Sequence, residues 1–169
     1  MSHIFRRFRR STAGATAVEF AILLPVMLVV FAAIVEGSRI YWNYQSAVSG
    51  VRDAARFLAR TTDADICGGV TNATAVVLSG GAATATTIIE RNVGSGTTNI
   101  FPPAVTVTAV SATYTCPDYD LRTDPTPVAR VNATVSVQLP FGELFNLFGA
   151  RSTTTMTSVI TDQSRIYGL

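Results

Sequence analysis

At 169 residues, with 48% hydrophobic but only 14% charged residues, the chain has room for one membrane helix and one modest domain, not for two separate cores. Its net charge of +2 is carried by the first ten residues, where Arg6, Arg7, Arg9 and Arg10 account for four of the 13 basic side chains; the nine that remain face 11 acidic ones. That leaves no basic patch for nucleic acid, and there is no lysine and only one histidine, His3.

Taken in chain order, the first element is the basic leader MSHIFRRFRRS. The apolar run FAILLPVMLVVFAAIV follows from Phe20 to Val35 and holds no charge. Ala13 to Val18 extend this run backwards past Glu19, to the roughly 20 residues that a helix needs to cross a hydrocarbon core. Arginines on the N-terminal flank predict that this end stays in the cytoplasm and that the chain after Glu36 lies on the far side. Three other readings fit less well. A cleaved secretory signal would want a shorter run and a small-residue cleavage site, which Glu36-Gly37-Ser38-Arg39 does not offer. A twin-arginine signal has only the pair Arg6-Arg7 in its favour. A buried core helix does not explain the asymmetric arginines. Glu19 is the unusual residue: a carboxylate within an apolar segment costs about 2.5–3.5 kcal/mol on insertion scales. It either rests hydrated at the cytoplasmic interface or has a partner.

Beyond the membrane, Ile40, Tyr44, Ala47, Val48, Val51, Ala55 and Leu58 recur at three- and four-residue spacing. The spacing predicts an amphipathic continuation to about Thr61-Thr62 whose stripe packs on a domain. Asp63 to Gly81 reads as a Gly-, Thr- and Asn-rich loop, and Ala82 to Asn92 as a short helix ended by Gly94-Ser95-Gly96. Ala104 to Tyr114 reads as a strand, and Cys116 to Pro127 as an exposed turn region. The clearest strand has Val131, Ala133, Val135, Val137 and Leu139 alternating with polar residues. Phe141 to Phe148 (FGELFNLF) is an aromatic segment that packs on the sheet or rests on lipid or a partner. Thr153 to Ile160 is a last strand. The expected architecture is α+β: a long N-terminal transmembrane and amphipathic helix packed on a small antiparallel β-sheet. The division is a leader at 1–14, a membrane helix at 15–36 and an α+β domain at 37–169. Cys67 and Cys116 both follow the apolar run, which fits a disulfide in an oxidising compartment; two separate buried thiols are the alternative.

The stretch Gly14-Ala15-Thr16-Ala17-Val18-Glu19-Phe20 with the apolar run behind it resembles the processing site of type IVb (Flp-type) prepilins. Pro25, Glu36-Gly37-Ser38-Arg39-Ile40 and Arg52-Asp53-Ala54-Ala55-Arg56 extend the resemblance to TadE-like pseudopilins, minor pilins of the tight-adherence pilus. It covers residues 10 to 60 or so. The resemblance implies cleavage between Gly14 and Ala15 by a membrane prepilin peptidase, with Glu19 fifth in the mature chain. It further implies a protein of the bacterial inner membrane that works with membrane lipid, other pilin subunits and the Tad secretion platform in pilus assembly, adhesion and biofilm formation. The alternative is an uncleaved, single-pass envelope interaction protein.

No enzyme is expected. A chain that has lost its leader has neither histidine nor lysine, which rules out Ser-His and Cys-His nucleophiles and histidine-ligated metals. Asp118, Asp120 and Asp124 lack the full calcium-loop pattern and read as solvated turn residues. No cofactor and no small-molecule substrate are called for.

Overall fold

A computed structural model describes residues 12–91, 99–120, 124–141 and 155–168. The arginine leader, Gly94-Ser95-Gly96, residues 142–148 of the aromatic segment and Thr153 lie outside the described residues. Helix α1, Thr12–Thr61, runs for 50 residues with Pro25 inside it. Long runs of Ala, Leu and other helix formers favour it, and its interior hydroxyls do not compete with the backbone ladder. Ser38, Ser46 and Thr61 donate back to the carbonyls of Ile34, Trp42 and Phe57, four residues earlier. Two compact units divide the chain, Met1–Arg39 with Pro140–Thr153 and Ile40–Leu139 with Thr154–Leu169.

The second unit holds the α+β arrangement. After α1 come strand β1 (Asn72–Val77), helix α2 (Gly81–Glu90) and strands β2 (Val105–Cys116), β3 (Val128–Gln138) and β4 (Thr155–Arg165). The four strands form one sheet in the order β1-β2-β3-β4, antiparallel throughout. Period-two alternation sends Ala129, Val131, Ala133 and Val135 of β3 into the core. Val131, Ala133 and Val135 cluster with Ala47, Val51, Ala54, Ala55 and Leu58 of α1, Ala85 and Ile89 of α2, Val105 and Ala112 of β2 and Ile160 of β4. Small side chains let the layers approach closely. Added to Gly50, a Cβ would stand 3.1 Å from the Ile89 Cα, so the two helices are almost in backbone contact there.

α2 is rich in β-branched threonine, a poor helix former. Thr84, Thr86 and Thr87 turn their hydroxyls onto the carbonyls of Gly80, Ala82 and Ala83, and burial of the face shared by Gly81, Ala85 and Ile89 holds the helix in place. Its end falls at Glu90, short of Asn92. At the foot of α1 the Tyr167 N–H donates to the Ala59 carbonyl, which serves one of the last-turn acceptors that a helix leaves open.

Three expectations change. Asp63 to Gly81 is not all loop: Asn72–Val77 is an edge strand, hidden in the sequence because it is mostly exposed, with only Asn72 and Val76 half-buried, and its pairing slips between those two residues. β4 extends beyond Ile160 to Arg165, since its backbone ladder to β3 continues through polar Asp162, Gln163 and Ser164. The packed stripe of α1 starts at Ala47 rather than Ile40: Ile40 is half-buried and Tyr44 is exposed.

Candidate functional site

The residues singled out in the sequence fall in two places. Gly14, Ala15 and Glu19 lie on the first turns of α1. Ala15 and Glu19 are four residues apart, which puts them on one face of the helix a single turn from each other. Ala15 and Glu19 are both exposed, and a Cβ added to Gly14 would meet nothing within 4 Å. Glycine is therefore not required there by packing.

The apolar run that follows is on the surface. Phe20, Ile22, Leu23, Met27, Leu28, Phe31 and Ile34 are all exposed, on several sides of the helix. A water-soluble chain does not leave this much contiguous apolar surface uncovered. Among the described residues, one helix is long and apolar enough to cross a membrane. It is a candidate membrane anchor.

At the end of this run lies an acid whose partner the sequence does not show. Glu36 is buried, at 4% exposure, and its Oε1 accepts the Phe141 N–H at 2.7 Å. A hydrogen bond to a carboxylate in a buried setting is worth more than a neutral one. It ties the chain just after β3 to α1 within the first unit. The signal available in the sequence was weak: an acid directly after an uncharged run looks the same whether it meets water or an amide.

The cysteines form the second place. Cys67, in the turn after α1, and Cys116, at the end of β2, are joined by a disulfide with an S–S distance of 2.08 Å. The turn is tight: Ile66, Gly68 and Val70 donate to Asp63, Asp65 and Cys67, and Gly68 and Gly69 both take positive φ, which suits glycine. The bridge joins the exit of α1 to the edge of the sheet where Asn72 of β1 pairs with Cys116.

The acidic turn after β2 makes local hydrogen bonds. Asp118 accepts from the Asp120 amide, and Asp124 from the Tyr119 amide and the Thr126 hydroxyl. Among the described residues, no three of the His, Cys, Asp and Glu side chains gather as a metal site would require.

No curated protein and no solved structure matches the chain. One family model does, that of the TadE-like proteins, over residues 14–56. This match covers about a quarter of the sequence, from the glycine through the exposed apolar run into the packed half of α1. The family matched is a structural, non-enzymatic kind of protein associated with pilus components in general. The segment that carries Gly14, Glu19 and the membrane-length run is similar to the matching segment of TadE-like proteins.

Proposed function

We propose that this protein is a minor pilin or pseudopilin that acts in assembly of the Tad/Flp (type IVb) pilus, and through it in surface adhesion and biofilm formation. In this reading residues 1–14 are a cytoplasmic leader, residues 15–36 cross the bacterial inner membrane, and residues 37–169 form the periplasmic domain. Prepilin peptidase cuts between Gly14 and Ala15, and the mature subunit then docks with other pilin subunits on the Tad secretion platform.

The observation that carries the reading is the first half of α1: a helix with its apolar surface bare and one acid, Glu19, a turn beyond Ala15, inside the segment that matches the TadE-like family. The chemistry follows from that spacing. Cleavage leaves an ammonium on Ala15, and Glu19 is one turn away on the same face. In low dielectric the two charges neutralise each other, within a subunit or between neighbours. A pair formed between neighbours fixes the axial register of stacked helices.

N-terminal sequencing of protein from membranes of the native host tests the proposal. The expected mature chain starts at Ala15, and Gly14→Val retains residues 1–14. Because a Cβ at Gly14 meets nothing within 4 Å, that variant keeps its fold, and the retained leader reports on the peptidase alone. A native chain that still carries residues 1–14 would identify an uncleaved envelope anchor instead.

A further inference from the structure

Between the bare half of α1 and its packed half lies a short segment that belongs to neither. No charged residue occurs from Ile40 to Val51. Core packing begins only at Ala47. In the gap, Tyr41, Trp42 and Tyr44 are 66%, 76% and 43% exposed. At 100° per residue these three rings spread over roughly 160° of the helix circumference. Large aromatic rings with one polar edge, presented around a helix next to a membrane-length run, suit one environment above others: the layer where lipid headgroups meet acyl chains.

We propose that Tyr41, Trp42 and Tyr44 form a collar that seats the outer end of the α1 span in the headgroup layer of the bilayer. The inference rests on the membrane-anchor part of the proposed function and adds a depth to it. The lengths agree. A hydrocarbon core of about 30 Å takes about 20 helical residues. Counted from Phe20, the first residue after Glu19, those 20 residues end at Arg39, which refines the 15–36 span by moving its outer boundary three residues beyond Glu36 and leaving Ala15 and Glu19 at the inner interface. The headgroup layer adds roughly 5–8 Å on each side, and Tyr41 to Tyr44 occupy about 6 Å of helix axis at 1.5 Å per residue. The two charges near the outer end of that core do not oppose the placement. Glu36 is buried and hydrogen-bonded to the Phe141 amide rather than turned to lipid. Arg39 is exposed, and its long stem can carry the guanidinium outward to the phosphates. One turn further on, the apolar stripe changes partner from membrane to protein, starting with Ala47.

Trp42 is the only tryptophan in the chain, so its fluorescence reports on this position alone. The full-length protein is reconstituted into phosphatidylcholine vesicles and floated on a density gradient. Quenching is then compared between lipids brominated near the glycerol end and lipids brominated near the methyl end of the acyl chain. The collar predicts that floated protein is quenched about twofold or more strongly by the shallow bromines than by the deep ones, as suits a ring at the interface. Floated protein quenched by neither lipid would overturn the collar, since Trp42 would then lie in water or against a second copy of the chain, and would leave the anchor standing. Strongest quenching by the deep bromines would also overturn it. Protein that fails to float with the vesicles would remove the anchor and the collar together.

Discussion

Between Phe20 and Ile34, most apolar side chains of α1 stand on the surface, whereas from Ala47 to Ala59 of the same helix most are closed off, with Val51, Ala54 and Ala55 at 0% exposure and Phe57 the exposed exception. Both halves are built from similar residues, Ala, Val, Leu and Phe, in one uninterrupted helix. What differs is the pattern. In the first half apolar residues occur all round, which suits a helix surrounded by apolar material; in the second they keep to a stripe, with Arg52, Asp53 and Arg56 exposed on the other side. The same secondary structure thus meets two environments, and the arrangement of polar residues, not helix propensity, decides which half meets which. The structural half answers to its own sheet. The bare half answers to whatever surrounds it.

The comparison can be tested by substitutions that touch one half and spare the other. The largest effect is expected from Glu19→Leu. Removing a carboxylate from the apolar half eases insertion by a few kcal/mol. In the proposed mature pilin the same change also removes the partner of the Ala15 ammonium and leaves a charge unpaired, at a cost of about 3–5 kcal/mol. Assembly therefore loses more than insertion gains. The expected strain has normal membrane levels of processed protein and no surface filaments by electron microscopy. Normal filaments would make Glu19 a bystander.

Next comes the packed half. Replacing both Cys67 and Cys116 by alanine opens a ring with a sequence separation of 49, which the chain-entropy relation values at about 4 kcal/mol. Urea unfolding of the domain should shift to lower concentration, while alkaline carbonate still fails to extract the protein from membranes. Loss of membrane retention as well would break the separation between the halves.

Gly50→Leu is expected to cost about 3 kcal/mol by overpacking, because its side chain would enter the place where α1 and α2 almost touch at Ile89. Loss of domain stability by thermal circular dichroism checks it. The smallest effect sharpens the comparison most. Val51→Ala removes two methyl groups from a closed core and should cost about 2 kcal/mol. Val30→Ala, the same change at a 54% exposed position, should leave domain unfolding where it was. Equal effects would mean that the first half is packed on protein in solution after all.

Much of this fold was legible. The change from an all-round apolar run to a stripe was readable along α1, and strict alternation marked β3. Those patterns are strong because burial acts on one face at a time. β1 was not readable: Asn72–Val77 has a single half-buried contact face, and Val77 is exposed, so no alternation survives. Tyr44 has the spacing of the stripe, but spacing cannot say where along a helix the partner layer begins. Glu36 escaped because its partner is a backbone amide 105 residues further on, and an amide has no sequence signature. Gly14 and Glu19 were legible only as a motif: their geometry on α1 is that of any two helical residues, and what distinguishes them is the chemistry of a peptidase and a neighbour.

The face of the sheet turned away from the helices has a property of its own. Its middle row is a neutral chain, in which Asn132 donates to the Ser111 hydroxyl on one side and accepts from the Thr161 hydroxyl on the other. Neighbouring positions carry Thr106, Thr108, Thr134, Ser136 and Thr157, and the Thr108 hydroxyl closes the slip in the β2–β3 pairing by donating to the Thr134 carbonyl. Ion pairs weaken as salt rises, because mobile ions screen them within about 8–10 Å at ordinary ionic strength. Hydroxyl and amide pairs carry no net charge to screen. This row, unlike Arg130 and Arg165 farther along the same face, should therefore hold the same form in dilute water and in brine.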